Sequence, residues 1–279
     1  GILDKYKERY AVGETFLANT EQSASYCGEN KLHAAFNFEF PGNRWHPKRF
    51  LNSALQWYDA LSEDAWPNFF LSNHDMIRAA SRYCFGEDDR RAKVAAAMLL
   101  TLKGTPFIYY GEEIGMRDIP IRRREDVKDP VGKLFWPLYK GRDGCRAPMQ
   151  WSSEVNAGFS QTDPWLPVNA DYPSRNVVQQ VSEPESLLHF IKRVIEIRKS
   201  EPALQQGDFT PLDEDPRFIL AYTRQLDDDQ VLVALNFSSR KLTYDLPTGS
   251  WIDLLADQQE VRPFIQMAPY QAAILKRKD

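Results

Sequence analysis

The sequence predicts an α/β protein up to about residue 205, followed by a small antiparallel β-sandwich. Three observations predict this. Short apolar runs alternate with helix-period segments as far as about residue 111, the rhythm of a parallel sheet with helical crossovers. Residues 115–181 then lose sustained periodicity and are rich in Arg, Asp, Pro and Trp. Beyond about residue 207, short β-rich runs recur between turn residues, the pattern of a small antiparallel sandwich. The predicted domains are therefore 1–205, with a loop-rich insertion at about 115–181, and 206–279.

The elements follow in order. Residues 10–16 (YAVGETF) and 34–38 (AAFNF) read as short strands. Residues 48–61 place Phe50, Leu51, Ala54, Leu55, Tyr58 and Leu61 at helical spacing. Residues 69–72 (FFLS) form a third strand ending in Asn73-His74-Asp75. In 90–103, Val94, Ala95, Met98, Leu99 and Leu102 share a helix face, and Gly104 suits the position just past the helix end. Residues 106–110 (PFIYY) form a fourth strand, closed by Gly111. A helix over 182–199 is expected to open with a capping box of Ser182 and Glu185, with Pro184 in its first turn. Leu187, Leu188, Ile191, Val194 and Ile195 form its buried stripe, and Pro202 stops it. In the tail, 218–223, 231–237, 241–246, 251–255 and 271–276 read as strands, with turns at Asp227-Asp228-Asp229 and Pro247-Thr248-Gly249.

Composition excludes several functions. The 279 residues carry 35 Lys+Arg against 39 Asp+Glu, a net charge of −4, so no basic face for nucleic acid is expected. At 43% hydrophobic and 13% aromatic, the chain is too apolar for disorder. No apolar run approaches the ~18 residues of a membrane span. The three cysteines, Cys27, Cys84 and Cys145, are odd in number and dispersed, which points to a reducing, cytoplasmic setting. His33, His46 and His189 are isolated, and no metal-ligand spacing occurs, so neither metal nor cofactor is expected. The chain opens at Gly1 without an initiator Met, a basic leader or an apolar signal core, as expected of a cut or processed piece of something longer.

Three chemistry-bearing features sit at strand ends: Gly13-Glu14, Asn73-His74-Asp75 and Gly111-Glu112-Glu113. In parallel α/β folds the C-terminal strand edge is where active sites form. Repeated carboxylates there suit acid/base work or stabilisation of a developing cation. Each feature also has an ordinary explanation. Glu14 is a possible loop hydrogen-bonder, Asn73-His74-Asp75 a possible turn, and Glu112 and Glu113 a possible brace for their loop.

These residues carry a resemblance. FFLSNHD at 69–75 resembles the fourth conserved region of the α-amylase superfamily, glycoside hydrolase family thirteen, and YAVGETF at 10–16 resembles the third. GTPFIYYGEEIGM at 104–116 resembles the stretch around the eighth barrel strand. RDGCRAPMQW at 142–151, NAGFS at 156–160 and PWLPVN at 164–169 resemble segments of α-glucosidases and oligo-1,6-glucosidases. Their order and spacing together are highly specific, and they cover essentially the whole chain.

The resemblance implies a retaining double displacement on an α-glucosidic bond, with two carboxyl groups as nucleophile and acid/base. Glu14 matches the family's acid/base, and Asp75 the carboxylate that holds hydroxyls of the −1 glucose. Among substrate-binding residues, His74 matches a sugar-hydroxyl donor beside Asn73. Arg142 matches an arginine that closes on the terminal glucose, with Arg78 near the same pocket mouth. Tyr109, Tyr110, Trp151, Phe159 and Trp165 are candidate flat faces for sugar rings, with packing as the commoner fate.

The resemblance also implies what is missing. The family's nucleophilic aspartate precedes the acid/base, yet only thirteen residues precede Glu14, none in a Gly-Phe-Arg-x-Asp-like motif, and Asp4 reads as polar and helix-like. A (β/α)8 barrel takes ~250 residues. The expected fold is therefore the C-terminal half of a TIM barrel, strands five to eight, followed by the β-sandwich. Such a polypeptide is expected to be inactive alone, and to pair with the missing half or self-associate. Alternatives within the superfamily are a transglycosylase or isomerase of the trehalose synthase or sucrose isomerase type, and a non-catalytic scaffold.

Overall fold

The computed structural model describes residues 5–17, 19–256 and 258–278; the setting read for Asp4 lies outside the described residues. The chain divides into two compact units. One gathers the described residues up to Phe70, Ala96–Phe107 and those from Val194 onward, and the other comprises Leu71–Ala95 and Ile108–Arg193.

In the first unit, Val12–Gly13 pairs in parallel with Ala34–Ala35, and Asn68–Phe70 pairs in parallel with Thr105–Phe107. The four apolar runs therefore do form parallel strands, but as two separate two-stranded ladders and not one sheet. Local chemistry shortens them. Pro106 has no N–H for a ladder, and Gly13 has no side chain to pack. Aromatic rings continue where the ladders stop. Phe36 meets Phe70 at 5.2 Å and Phe107 at 5.0 Å edge-on, and Phe38 meets Phe70 at 5.3 Å. These contacts gather the ends of three strands.

The helix Pro47–Ala60 starts on a proline whose missing N–H costs nothing there, and it buries Phe50, Leu51, Ala54 and Trp57 along one stripe. The helix Arg90–Thr101 buries Val94, Ala97, Met98 and Leu100, residues from several faces. Its last carbonyls are met by arginines. Arg224, fully buried, donates from Nη1 to the carbonyls of Thr101 (2.7 Å) and Leu204 (3.0 Å), and from Nη2 to that of Gly207 (2.8 Å). Arg198 donates to the carbonyls of Leu100 (2.6 Å) and Gly104 (2.7 Å). Cations at helix C-termini satisfy orphan carbonyls and oppose the dipole. Burial among such neutral partners lowers Arg224 to about 10.

The expected helix over 182–199 is corrected. Ser182 ends a separate helix, Val177–Ser182, and donates its hydroxyl to the Gln179 carbonyl at 2.7 Å. The main helix runs Leu187–Ser200, and Ser186 Oγ accepts from the His189 N–H at 3.3 Å. The Ser182–Glu185 capping box does not form because Pro184 disfavours helical backbone at Glu183, whose φ and ψ are extended. The buried stripe holds at Leu187, Leu188, Ile191 and Val194, but Ile195 is only half-buried and Ile197 is buried in its place.

The tail forms a six-stranded antiparallel sheet in the order Gln259–Val261, Trp251–Asp253, Ala272–Arg277, Asp229–Asn236, Ile219–Leu226, Asp208–Pro211. Phe264–Met267 and Leu242–Asp245 make a second, two-stranded sheet. Ile265 and Met267 of the small sheet share a core with Leu232, Ala234, Trp251 and Leu275 of the large one, so two sheets face each other over apolar side chains. The Ile219–Leu226 and Asp229–Asn236 strands close on Asp227 and Asp228, with Asp227 at φ +51°, the left-handed backbone a two-residue hairpin requires. The sequence reading missed Asp208–Pro211, Gln259–Val261 and Phe264–Met267, short strands of which only the last buries any residue.

Candidate active site

Glu14 lies in the first unit, immediately after Val12–Gly13, and its side chain is exposed. The Gly13 carbonyl accepts the Phe36 N–H at 2.9 Å, so the backbone leading into Glu14 is fixed to the neighbouring strand.

The second unit holds Asp75, and its surroundings are built in layers. Asn73 Oδ1 accepts the Asp75 N–H at 2.9 Å, an Asx turn that lifts the carboxylate off the strand end. This is the turn chemistry that the Asn-His-Asp triplet allowed. Three cationic or imidazole groups converge on one oxygen, Asp75 Oδ1: Arg146 Nη2 at 2.7 Å, Arg142 Nη1 at 3.1 Å and His74 Nε2 at 3.5 Å. Among the described residues, Asp75 Oδ2 accepts no hydrogen bond from a side chain. The His74 ring is exposed, while its carbonyl accepts Arg146 Nε at 2.8 Å and Cys145 Sγ at 3.3 Å.

Arg142 is itself held. Asp129 accepts Arg142 Nε (2.8 Å) and Nη2 (3.0 Å) on its two oxygens, and the Arg142 backbone N–H at 2.9 Å. Asp129 also caps the helix Pro130–Phe135 through the Val131 N–H. Arg142 holds the Asp129 carboxyl well below the usual carboxylate range, and Asp129 raises Arg142 in turn. The return contact comes from buried Asp143, whose Oδ2 accepts the N–H groups of Lys128 (2.6 Å) and Asp129 (3.0 Å). The two segments cross at Gly132 and Gly141, where a Cβ on Gly132 would stand 2.7 Å from the Lys140 carbonyl oxygen. Only glycine permits so close a backbone approach.

A second network braces the strand ends. Glu112, half-buried, accepts the Ser72 hydroxyl on Oε1 and the Tyr109 N–H on Oε2 at 3.0 Å. Desolvation raises its pKa to about 7 against an ordinary 4.5. The loop-bracing explanation for Glu112 is thus the one its contacts match. Arg78 differs from its expected place near a pocket mouth. It is fully buried, donates from Nη1 to the Tyr110 carbonyl at 2.6 Å, and lies 4.9 Å and 4.6 Å from the ring centroids of Tyr109 and Tyr110. Its own N–H goes to Asp118 at 2.8 Å. Tyr109 and Tyr110 therefore spend ring faces on Arg78, whereas Trp151, Phe159 and Trp165 remain 50%, 46% and 55% exposed.

Arg146 and Asp129 escaped the sequence reading. Arg146 follows Arg142 by four residues and shares its short helical turn, Asp143–Arg146, a spacing that could have signalled it. Asp129 lies in the 115–181 stretch, which shows no sustained periodicity in sequence.

Comparison with known proteins gives this geometry a context. Residues 2–207 match the model of the alpha amylase catalytic domain, and residues 209–274 match that of the maltogenic amylase C-terminal domain. The oligo-1,6-glucosidase of Parageobacillus thermoglucosidasius is 32% identical, over 99% of this chain and 56% of its own length. The alpha-glucosidase of Schizosaccharomyces pombe is 30% identical, over 99% and 55%. Among solved structures, the trehalulose synthase MutB of Pseudomonas mesoacidophila MX-45 superposes with a TM-score of 0.88 at 29% identity, over 99% of this chain and 56% of that one. The isomaltulose synthase SmuA of Protaminobacter rubrum gives 0.86 at 29%, over 99% and 57%. The chain spans about half the length of the relatives it matches. With a catalytic-domain and a C-terminal-domain model matched in succession along its length, this chain belongs to the α-amylase family.

Proposed function

We propose that this chain supplies part of the active site of a retaining α-glucosidase acting on α-glucosidic bonds of oligosaccharides. The observation that carries the reading is the asymmetric grip on Asp75. Arg142 and Arg146 both bind Oδ1, which fixes the carboxylate and leaves Oδ2 for sugar hydroxyls. A preorganised carboxylate of this kind stabilises the positive charge that grows on the ring in an oxocarbenium-like transition state. His74, exposed beside it, donates to a neighbouring hydroxyl, and Arg142 closes on the terminal glucose. Asn73 acts through its turn on Asp75, and buried Arg78 acts through the strand end it anchors. Glu14 is the acid/base: it protonates the departing glycosidic oxygen, then takes the proton of the attacking water.

The retaining route also needs a nucleophile, and the residues before Glu14 include no aspartate in the family's motif. We therefore propose that the 279-residue polypeptide corresponds to barrel strands five to eight, with the boundary to the β-domain near residue 205. It is inactive alone and is completed by a polypeptide bearing the first four β/α units, or it self-associates, in a reducing, cytoplasmic compartment. A second reading, a sucrose isomerase, is favoured by the structural neighbours MutB and SmuA. In it, a sugar hydroxyl takes the place of water as the acceptor.

Four measurements test this. The polypeptide alone should leave an aryl α-glucoside intact, and appreciable turnover would overturn the missing-nucleophile part. Combined with a polypeptide carrying the first four strands and their aspartate, it should gain activity. In that assembly Glu14→Gln should depress hydrolysis of glucosides with poor leaving groups far more than of those with good ones. Equal loss on both refutes the acid/base role, and sucrose products separate isomerase from hydrolase.

A further inference from the structure

A cleft of about 570 Å3 lies within the second unit, lined by Trp165, Tyr172, Asn156, Asp163 and Lys128 among others. Its volume falls in the ~300–1,000 Å3 range of small-molecule sites. None of the groups that grip Asp75, namely Arg142, Arg146 and His74, lines it. The motifs NAGFS and PWLPVN, which have no part in the proposed catalysis, supply two of its walls.

The cleft is built to hold an aromatic ring in water. Trp165 is 55% exposed, yet the next residue, Leu166, is fully buried in a small core with Ile119, Ile121, Val127 and Ala147. Pro164 and Pro167 flank this pair and fix their own backbone torsions. The indole is thus mounted on a stiff, anchored segment, which lowers the ordering cost of binding. The segment around Asn156 is also held. Asn156 and Ala157 have φ of +53° and +57°, and Asn156 Nδ2 donates to the carbonyls of Ser160 (3.1 Å) and Thr162 (3.0 Å).

The polar groups select the ligand. Asp126 is paired with Arg123 at 2.8 Å. Asp163 makes no salt bridge among the described residues, and the Lys128 ammonium lies close enough to Asp126 to lower its pKa. A carboxylate free to accept and an ammonium able to donate therefore line the same cleft as the indole. An anion would meet the carboxylates of Glu125, Asp126 and Asp163, and a cation would meet Lys128. A neutral polyhydroxylated ring both donates and accepts, and its C–H face packs on indole. We propose that this cleft is a second saccharide site that binds a neutral oligosaccharide independently of Asp75.

The test is titration of the 279-residue chain with maltotriose and with isomaltotriose, followed by calorimetry and tryptophan fluorescence. At least one sugar should bind saturably. Trp165→Ala should weaken that binding about tenfold or more, loss of ring packing plus buried area. Asp163→Asn should weaken it less, Trp165→Phe should retain most of it, and Asp75→Asn should leave it unchanged. The side chain of Trp165 is exposed, and an unaltered circular dichroism spectrum checks that its variants fold. Absence of binding overturns the inference. So does loss of affinity in Asp75→Asn with none in Trp165→Ala, which would place the sugar in the candidate active site. Trp165-dependent binding of choline as tight as that of the sugars would also overturn it, by making the cleft a cation site.

Discussion

Asp129 and Arg142 are joined by two near-parallel bonds, Nε to Oδ2 at 2.8 Å and Nη2 to Oδ1 at 3.0 Å, with the carboxylate wholly buried and the guanidinium 30% exposed. A fork-to-fork pair fixes the plane of the guanidinium as well as its position. The remaining arm, Nη1, is then directed at Asp75. Asp129 thus acts as a positioning residue for a contact one side chain away.

Removing that carboxylate should be costly. Asp129→Ala strands a guanidinium that still reaches water on one side, so we expect a loss of about 2–3 kcal/mol, the low end for broken charge pairs. The dependence on pH is distinctive. Because the folded-state pKa of Asp129 is depressed, the pair's contribution is complete above the ordinary carboxylate pKa of about 4 and fades as pH falls below it. Urea midpoints of wild type and variant should differ most above pH 4 and converge in acid. A difference independent of pH would show that Asp129 acts by packing alone.

The same pair marks how far the sequence was legible. Helices with a clear apolar stripe, such as Pro47–Ala60, were read within a residue or two because burial repeats every turn. The strand-end positions of Glu14 and the Asn73–Asp75 triplet were legible because these residues follow apolar runs. The barrel-type strands were over-read: YAVGETF supplies four β-prone residues, Tyr10, Val12, Thr15 and Phe16, but only Val12–Gly13 finds a partner, and pairing depends on neighbours distant in sequence. Asp129 was illegible for the same reason. Its role depends on Arg142, thirteen residues on, across a crossing of two glycines. Arg78 looked like a loop arginine because nothing in its local sequence announces two tyrosine rings some thirty residues away.

Gly104 offers a backbone test. Its φ is +136°, and a Cβ there would stand 2.8 Å from the Pro67 carbonyl oxygen. That contact sits beside the Asn68–Phe70 and Thr105–Phe107 ladder. Gly104→Ala must strain the backbone and push on a rigid carbonyl, at about 2 kcal/mol or more. Thermal denaturation should register a clear drop in midpoint. An unchanged midpoint would mean that Pro67 and Gly104 can move apart at little cost.

The cysteines make a chemical prediction. Cys27, Cys84 and Cys145 are all buried. Burial pushes Cys145 up to about 11, and its Sγ donates to the His74 and Arg142 carbonyls. A thiol held protonated is a poor nucleophile. The native chain should therefore show essentially no fast reaction with an aromatic disulfide reagent at pH 8, and all three thiols should react in denaturant. Rapid labelling of Cys145 in the native state would show that the turn carrying Arg142 and Arg146 opens readily.

Glu112 is the group whose ionisation should matter most to the fold near neutrality. Its carboxyl group is desolvated in the fold, and this outweighs the Ser72 and Tyr109 hydrogen bonds that favour its charge, leaving its pKa at about 7 where an exposed glutamate has 4.5. The folded chain therefore binds more protons than the unfolded chain between these values. Stability must fall as pH rises from about 4.5 to about 7 and then level off, by up to about 3 kcal/mol from this residue. Glu112→Gln keeps an acceptor for either donor and cannot ionise. The variant should be less stable than, or equal to, wild type at pH 5, where the wild-type residue is a neutral acid, and should gain on it steadily up to about pH 7.5. Guanidinium midpoints at a series of pH values measure this directly. A constant difference between the two across the window would mean that Glu112 is already ionised at pH 5 and that the Arg78 and Arg82 guanidiniums nearby outweigh its burial.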